Sequence, residues 1–171
     1  MASDIVIRAA SASHAGAIGE IYDEAIATGI ATFASGGHSP EERRAWLDAR
    51  PDVAPVFVAT EPTGSVVAWG ALAPYSHREW YAGVAEYTVY VTADNQARGI
   101  GARMISHLIE AAPKYGYWKL VGMILPENTA GLRLAARAGF RTVGTHRAHG
   151  QVVGKWRDVV LVERHLEVGA E

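Results

Sequence analysis

Three strand-like segments follow one another in the first half of the chain without a helix between them. They occupy residues 55–60, 65–72 and 85–91, and the short segment 61–64 has the composition of a hairpin turn. A sheet made of repeated strand–helix–strand units would place a helix between consecutive strands. The order therefore predicts a mixed α/β sheet and not a run of simple alternating units.

Helices and further strands surround these three segments. Hydrophobic periodicity predicts one strand and two helices before them, at 5–9, from about 14 and from about 39. The second helix has a clear start, with Ser39 as N-cap, Pro40 at its first position and Glu42 completing a capping box. A polar, glycine-bearing loop is expected between two closing strands. The elements predicted after the three segments are a helix, a strand, a helix and those closing strands, at about 99–112, 119–125, 129–138, 140–146 and 158–166.

Composition and charge limit the classes of protein to which the chain can belong. Its 171 residues, 49% of them hydrophobic, suit one domain, which we expect to span 1–171. The net charge of −2 gives no general attraction to nucleic acid or to an anionic membrane, so neither is an expected partner. The lack of cysteine excludes disulfides and cysteine nucleophiles. Residues 1–10 do not resemble a signal peptide and no apolar run would span a bilayer, so we expect a cytoplasmic protein.

The sharpest local feature is the segment 91–101, which leads from a strand through a turn into a helix. Free N–H groups at a helix start, together with the helix dipole, attract anions. Gly99 and Gly101 have no side chain, so a phosphate can approach the backbone closely, and Arg98 adds a positive charge. No Lys-Ser/Thr pair follows the glycines, which excludes a nucleoside-triphosphate P-loop. Taken alone, two glycines fit a helix start that needs them for packing better than a phosphate site.

The context of this segment resembles the acetyl-CoA motif of the GNAT superfamily of N-acetyltransferases. The Gln-x-x-Gly-x-Gly run at 96–101 lies between a Val-Tyr-Val strand and an amphipathic helix, and Asn128 followed by Gly139-Phe140 resembles that superfamily's Asn…Gly-Phe segment. The predicted order of elements also matches, over nearly the whole chain. The resemblance implies the mixed α/β GNAT fold, with a mostly antiparallel twisted sheet flanked by helices. It also implies an enzyme that uses acetyl-CoA as co-substrate.

Within the superfamily, the chain is most similar to the phosphinothricin and methionine-sulfone acetyltransferase family. The resemblance implies transfer of an acetyl group to the amine of a small amino-acid-like molecule of the phosphinothricin, methionine sulfone or methionine sulfoximine type. It further implies a homodimer. The matching segments follow the family's order along the chain: Ile21-Tyr22, Thr32-Phe33, Trp46, Arg78–Tyr81, Ala85–Val91 and Gly154–Asp158.

The resemblance also assigns residues to acetyl-CoA. The backbone of 89–91 is expected to bind the thioester and the pantetheine arm as an added strand would, and its N–H groups to stabilise a developing oxyanion. Residues 97–102 are expected to hold the pyrophosphate, and Asn128 the pantetheine amides. The full set is Val89, Tyr90, Val91, Gln96, Ala97, Arg98, Gly99, Ile100, Gly101, Ala102 and Asn128.

Glu86 is the expected general base, acting directly or through a water. Beside apolar neighbours such as Trp80 and Tyr87, the pKa of its carboxyl would rise toward the operating pH. Arg78 is the expected clamp for the acceptor's carboxylate, because a guanidinium matches that group in bidentate geometry. The expected walls of the acceptor pocket are Phe33, Tyr75 and Tyr81.

One departure from the family concerns the general acid. Many GNAT enzymes carry a tyrosine four residues before the Gly-Phe glycine, and this chain has Ala135 there. Coenzyme A can leave as a thiolate, because thiol pKa values are about 8–9, or Tyr90 or another side chain can protonate it. Two other functions also stay open: acetylation of a peptide or protein N-terminus, and acetyl-CoA binding without catalysis.

No metal site is predicted. Of the seven histidines, only His146 and His149 are closely spaced, and no third ligand is evident near them. A serine hydrolase has no support either, because the chain lacks a Gly-x-Ser-x-Gly elbow.

Overall fold

The structure, a computed structural model, describes residues 4–166. The predicted domain span 1–171 and the N-terminal segment 1–10 both include residues outside that range, at 1–3 or 167–171. Within it, the strands and helices follow the predicted order. They are β1 (Val6–Ala9), α1 (Ala15–Ala27), α2 (Pro40–Asp48), β2 (Val56–Thr60), β3 (Val66–Pro74), β4 (Val84–Val91), α3 (Ile100–Ala111), β5 (Lys119–Ile124), α4 (Thr129–Arg137), β6 (Arg141–Val152) and β7 (Lys155–His165).

The strands form one mixed sheet, as the sequence predicts. Their order across the sheet is β1-β2-β3-β4-β5-β7-β6. Every neighbouring pair in the described chain is antiparallel except β4 and β5, which run parallel. The β2–β3 hairpin closes through residues 61–64, where Gly64 N–H donates to Glu61 O at 2.8 Å. The parallel pair therefore divides a β1–β4 half from a β5–β7 half.

Helices cover both faces of the sheet. On one face α3 and α4 bury their apolar sides, and Met104 and Leu108 of α3 are completely buried there. On the other face α1 buries Ile18 and Ile21 with Trp69 of β3. The alternation predicted for β4 is confirmed, because its odd-numbered side chains belong to the α3 core and Tyr90 to the α1 core.

The start of α2 is confirmed in detail. Ser39 Oγ accepts a hydrogen bond from Glu42 N–H at 3.1 Å, and Glu42 Oε2 accepts one from Ser39 N–H at 2.7 Å. Two backbone donors that the helix itself leaves unpaired are thereby satisfied. Pro40 occupies the first helical position, where its missing N–H costs nothing. No helix between residues 4 and 166 is both long and apolar enough to span a membrane.

The predicted loop between the closing strands is wrong. β6 continues to Val152 and β7 begins at Lys155, so only Val153 and Gly154 form the turn, with φ of 48° and 73°. Most of residues 147–157, which the sequence predicts to form a loop, are exposed on both faces of the hairpin. Their side chains therefore show no apolar alternation. Two register shifts, after Thr142 and after His146, also interrupt the ladder. Backbone pairing holds these residues in strands that periodicity does not predict.

Candidate active site

A cleft opens where the parallel strands β4 and β5 separate. β4 pairs with β3 along its whole length to Val91, but it pairs with β5 only over 84–86. Just beyond the last pair, the ring of Tyr87 lies over Gly122 of β5, and a Cβ built at Gly122 would lie 2.6 Å from that ring. Glycine at this position therefore leaves room for the tyrosine ring to pack over β5 in the α3 core.

Backbone groups of β4 face this cleft. Gly83 O, just before the strand, accepts a hydrogen bond from Trp118 N–H at 2.8 Å on the β5 side. Backbone direction alternates along a strand, so Val89 and Val91 direct their N–H and C=O groups to the same side. Both residues lie beyond the last residues that pair with β5. The end of β4 thus presents a strand edge to which an extended molecule can hydrogen-bond.

A cavity of about 640 Å³ lies against this edge. Of the residues predicted to bind the cofactor, all but Arg98 and Ile100 line it. Ile100 is 1% exposed and belongs to the α3 core. Arg98 donates to Asn95 Oδ1 and lies 3.8 Å from Glu61 Oε1. The structure therefore gathers most of the predicted cofactor set, while the side chains of these two residues are directed elsewhere.

The N-terminus of α3 faces the same cavity. Gly99 is its N-cap with φ of 80°, a left-handed conformation that glycine adopts without a Cβ penalty. No side chain of residues 4–166 caps this helix, and its first backbone bond runs from Arg103 N–H to Gly99 O at 3.1 Å. The N–H groups of the first turn therefore remain available to an anion. Gly101 lines the cavity beside them.

Asn128 begins α4 at the opposite wall of the cavity. Its Oδ1 accepts a hydrogen bond from Gly131 N–H at 2.9 Å, so the side chain caps the helix. Arg133 and Arg137 of the same helix also line the cavity, and the sequence analysis did not select them. Their spacing of four residues on one helix face was the available signal. Residues of α1 and the following turn also line the cavity: Glu24, Ala25, Thr28, Ile30 and Ala31.

Glu86 lies in a second cavity, of about 240 Å³, on the α1 face of the sheet. Burial raises the pKa of its carboxyl above the ordinary value. Trp80, which we expected beside Glu86, does not line this cavity; it is 67% exposed and contacts Tyr81 edge-on. The aromatic side chains around Glu86 come from α1, α2, β3 and β4: Tyr22, Trp46, Trp69 and Tyr90.

Tyr90 lines both cavities. Its side chain packs against Tyr22 and Trp69, with ring centroids 5.1 and 4.9 Å apart. The two cavities therefore meet along β4, where Glu86 lines the smaller one and residues 89–91 line the larger one. A molecule in the larger cavity and a second molecule in the smaller one would approach each other at this strand.

The predicted acceptor residues lie outside both cavities. Tyr75 and Tyr81 contact each other edge-on in the 75–83 connection, with ring centroids 6.4 Å apart. Arg78 is exposed at the start of a short 3₁₀ turn in that connection. Phe33 lies against the hairpin, where its ring would be 2.6 Å from a Cβ at Gly150. The structure brings Tyr75 and Tyr81 together and leaves Phe33 apart from them.

The sequence pattern that describes the Acetyltransferase (GNAT) domain matches residues 7–161. The chain belongs to the GNAT family of acetyltransferases. Among curated relatives, a phosphinothricin N-acetyltransferase of Streptomyces coelicolor is 34% identical over 86% of this chain and 88% of its own length. An L-methionine sulfoximine/L-methionine sulfone acetyltransferase of Pseudomonas paraeruginosa is 30% identical over 86% of each.

A solved GNAT structure agrees with the fold. The protein yncA of Salmonella typhimurium, solved with its cofactor acetyl-CoA, superposes with a TM-score of 0.90 at 28% identity. The match covers 99% of this chain and 98% of that one. The mixed α/β GNAT fold predicted from the sequence is thereby confirmed.

At the GNAT position where many members carry tyrosine, Ala135 is completely buried in the α3–α4 core. Alanine has no hydroxyl group, so Ala135 cannot protonate the leaving thiolate. Tyr90 has a phenol whose pKa burial raises, so it stays protonated at neutral pH.

The rings of His146 and His149 stack with their centroids 4.4 Å apart, and no group of three or more potential metal-ligating side chains occurs within residues 4–166.

Proposed function

We propose that this GNAT chain transfers the acetyl group of acetyl-CoA to the amine of a small amino-acid-like acceptor. The observation that carries the proposal is the meeting of two cavities along β4. One offers a strand edge and an uncapped helix N-terminus, and the other holds a half-buried carboxylate whose pKa is raised. The names of the two curated relatives support an acceptor of the phosphinothricin, methionine sulfone or methionine sulfoximine type.

The larger cavity has the donors that a pyrophosphate requires. The first-turn N–H groups of α3 at 99–102 would bind the phosphates, and Gly99 and Gly101 leave room for them. Arg133 and Arg137 add positive charge from α4. Acetyl-CoA supplies a thioester, whose acyl carbon an amine attacks. Val89 and Val91 would hydrogen-bond the pantetheine arm and the thioester oxygen through their backbone N–H groups.

Glu86 would act as general base, directly or through a water. Because burial raises its pKa, the carboxylate is a better proton acceptor than an exposed glutamate would be. It would take a proton from the acceptor's ammonium group, and the resulting neutral amine attacks the thioester. Coenzyme A would leave as a thiolate, because thiol pKa values are about 8–9, and burial raises the pKa of Tyr90, which makes its phenol a weak acid for this step. Direct transfer needs no acyl-enzyme, in agreement with the absence of cysteine.

The pH dependence of kcat/KM tests this role of Glu86. A base must be unprotonated, so activity should fall as the pH drops through the pKa of Glu86, which lies above its ordinary value of 4.5. In Glu86→Gln that lower limb should disappear, while the limb due to the acceptor's own amine persists. An unchanged lower limb in the variant would assign the titration to another group.

Arg78 would bind the carboxylate of the acceptor, with Tyr75 and Tyr81 as walls of its pocket, whereas Phe33 lies against the hairpin and outside this pocket. The exposed 75–83 connection that carries Arg78 adjoins β4 close to Glu86. Arg78→Ala should raise the acceptor's KM about tenfold, because it removes a charge-assisted hydrogen bond. The KM for acetyl-CoA should not change, and an amine without a carboxylate should be used equally by both proteins. Equal changes for both substrates would contradict the clamp.

An acceptor panel tests the proposed function itself. Release of free thiol from acetyl-CoA would be measured with phosphinothricin, methionine sulfone, methionine sulfoximine, common amino acids and short peptides. Rapid release with the first three and little with peptides is the expected result. Preference for peptides would indicate an N-terminal acetyltransferase, and acetyl-CoA binding without release from any acceptor would indicate a non-catalytic binding protein.

We also propose a homodimer formed through the β6–β7 hairpin. β6 is an edge strand, and the hairpin exposes Val153 at 84% and Trp156 at 64%. Long exposed edges with apolar side chains are typical pairing surfaces. Light scattering after gel filtration should give twice the mass of the chain, and Trp156→Lys should shift the protein toward the monomer. A monomer at every concentration would refute the dimer.

A further inference from the structure

Two buried N–H donors have no hydrogen-bond acceptor among residues 4–166. They are Arg43 Nε and Trp69 Nε1, in side chains that are 5% and 3% exposed. Both side chains line the small cavity that contains Glu86. Buried polar groups in proteins almost always have partners, so two missing acceptors around one cavity require an explanation.

Arg43 is held firmly by its surroundings. Its guanidinium lies 5.0 Å from the ring centroid of Tyr22 and 5.1 Å from that of Trp46. Its Nη2 lies 3.3 Å from His38 Nδ1. No ion pair of Arg43 with a carboxylate occurs within the described chain, residues 4–166. The aromatic contacts stabilise the cation, but they do not provide the acceptor oxygens that its N–H groups require.

Arg50, which lines the same cavity, shows the contrast. Its Nε donates to Ala54 O at 2.7 Å and its Nη2 donates to Leu72 O at 2.6 Å. These bonds join the end of α2 to the loop before β2 and to β3. Arg50 therefore has acceptors within the protein, whereas Arg43 Nε does not.

An indole and a guanidinium are donors only. A ligand that satisfies both must bring at least two acceptor oxygens, and the charge of Arg43 favours a negative group. The cavity of about 240 Å³ has the volume of about eight water molecules at about 30 Å³ each. It is thus large enough for the end of a small amino acid.

We propose that Arg43 and Trp69 bind a paired-oxygen group of the acceptor, a carboxylate, phosphinate or sulfonyl, while its amine lies beside Glu86. This inference rests on the function proposed above and specifies its substrate class. Arg43 and Trp69 then determine specificity: acceptors with such a group satisfy both donors, and thioether or alkyl analogues leave them unpaired. Because Arg78 would bind the α-carboxylate, the paired oxygens are those of the acceptor's side chain.

The test compares methionine sulfone with methionine, which has a thioether in place of the sulfone. The readout is the ratio of their kcat/KM values in the wild type, Arg43→Lys, Trp69→Phe and Arg44→Lys. Arg44 is the matched control, because it is the next residue of α2 and is exposed. Arg43→Lys should lower the ratio about 10- to 100-fold and Trp69→Phe about fivefold. Arg44→Lys should leave it unchanged.

This ratio separates recognition from damage to the fold, since a purely structural loss would lower both kcat/KM values alike. A third acceptor, 3-(methylsulfonyl)propylamine, lacks the α-carboxylate and identifies the oxygens. If Arg43→Lys also impairs its use, the side-chain oxygens are bound. If instead only the two amino acids are impaired, and equally, Arg43 acts on the α-carboxylate and the inference is overturned. Should Arg43→Lys fail to fold, Trp69→Phe provides the same comparisons.

The inference is overturned if all three acceptors respond to Arg43→Lys as they respond to Arg44→Lys. The proposed function survives that result as long as the wild type releases thiol with an amino-acid acceptor. If the wild type releases none, the proposed function fails. Quenching of tryptophan fluorescence by methionine sulfone then decides the inference: weaker binding to Arg43→Lys than to the wild type supports it, and equal binding refutes it.

Discussion

Glu86→Gln is expected to lower kcat by about 10²- to 10⁴-fold, the usual contribution of a general base. The amide keeps the size of the side chain in its cavity but cannot accept the proton from the acceptor's ammonium group. Because Glu86 does not line the cofactor cavity, the Kd for acetyl-CoA should stay near that of the wild type. Steady-state thiol release and a direct acetyl-CoA titration measure the two quantities.

The same substitution should stabilise the fold at higher pH. Burial raises the pKa of Glu86 in the folded state, so the folded protein favours the protonated form. The stability that this proton contributes is present at low pH and is lost as the pH rises through the folded-state pKa. Glutamine never becomes charged, so the Tm of the variant should exceed that of the wild type more at pH 8 than at pH 5.

Glu79→Gln is the control for Glu86→Gln. Glu79 is an exposed glutamate in the neighbouring 3₁₀ turn, so its replacement should change neither kcat nor the pH dependence of Tm. Full turnover by Glu86→Gln would remove Glu86 from the mechanism. A loss of turnover accompanied by weaker acetyl-CoA binding would indicate a structural effect instead.

Gly101→Asp is expected to weaken acetyl-CoA binding on the order of 100-fold, since like charges about 4 Å apart repel by up to about 4 kcal/mol at a partly buried protein site. The new carboxylate would lie in the first turn of α3, where the phosphates are proposed to bind. A Cβ at this position would lie 3.4 Å from Leu134 Cδ2, an ordinary contact. A helix N-terminus also tolerates aspartate well, so Tm should not fall.

Gly101→Asn separates charge from bulk in this test. Asparagine has the shape of aspartate without its charge, so it should weaken acetyl-CoA binding much less. The difference between the two variants should shrink at high salt, because screening weakens the repulsion. Equal losses in both variants would attribute the effect to steric blocking. Normal binding by Gly101→Asp would exclude phosphate binding at this helix start.

Local chemistry explains why many elements could be predicted from the sequence. The start of α2 depends on Ser39 and Glu42, which lie within one helical turn of each other and form the same bonds wherever the helix lies. The strand at 84–91 alternates between two buried faces, and its alternation is visible in the sequence. The turn at 61–64 likewise follows from its own composition.

Other features could not be predicted because they depend on residues distant in the chain. In sequence, Arg43 is one of several charges on a polar helix, and its burial follows from the packing of α2 against α1 and β3. Trp69 Nε1 likewise has no hydrogen-bond acceptor within residues 4–166, because the packing of distant segments determines its neighbours too. The hairpin turn at Val153 and Gly154 places valine at positive φ, where local preference gives no signal for it.

The sequence by itself determined the order of strands and helices, the GNAT motif at 96–101 and the position of Glu86 on the face of β4 opposite Val89. These depend on periodicity and on groups adjacent along the chain. Only the tertiary structure decided that β4 and β5 separate after residue 86, that Ile100 is buried away from the cavity, and that the cavity around Glu86 contains unpaired donors. The physical reason is that strand separation, burial and hydrogen-bond satisfaction depend on contacts between segments far apart in the chain. A local sequence pattern carries no information about those contacts.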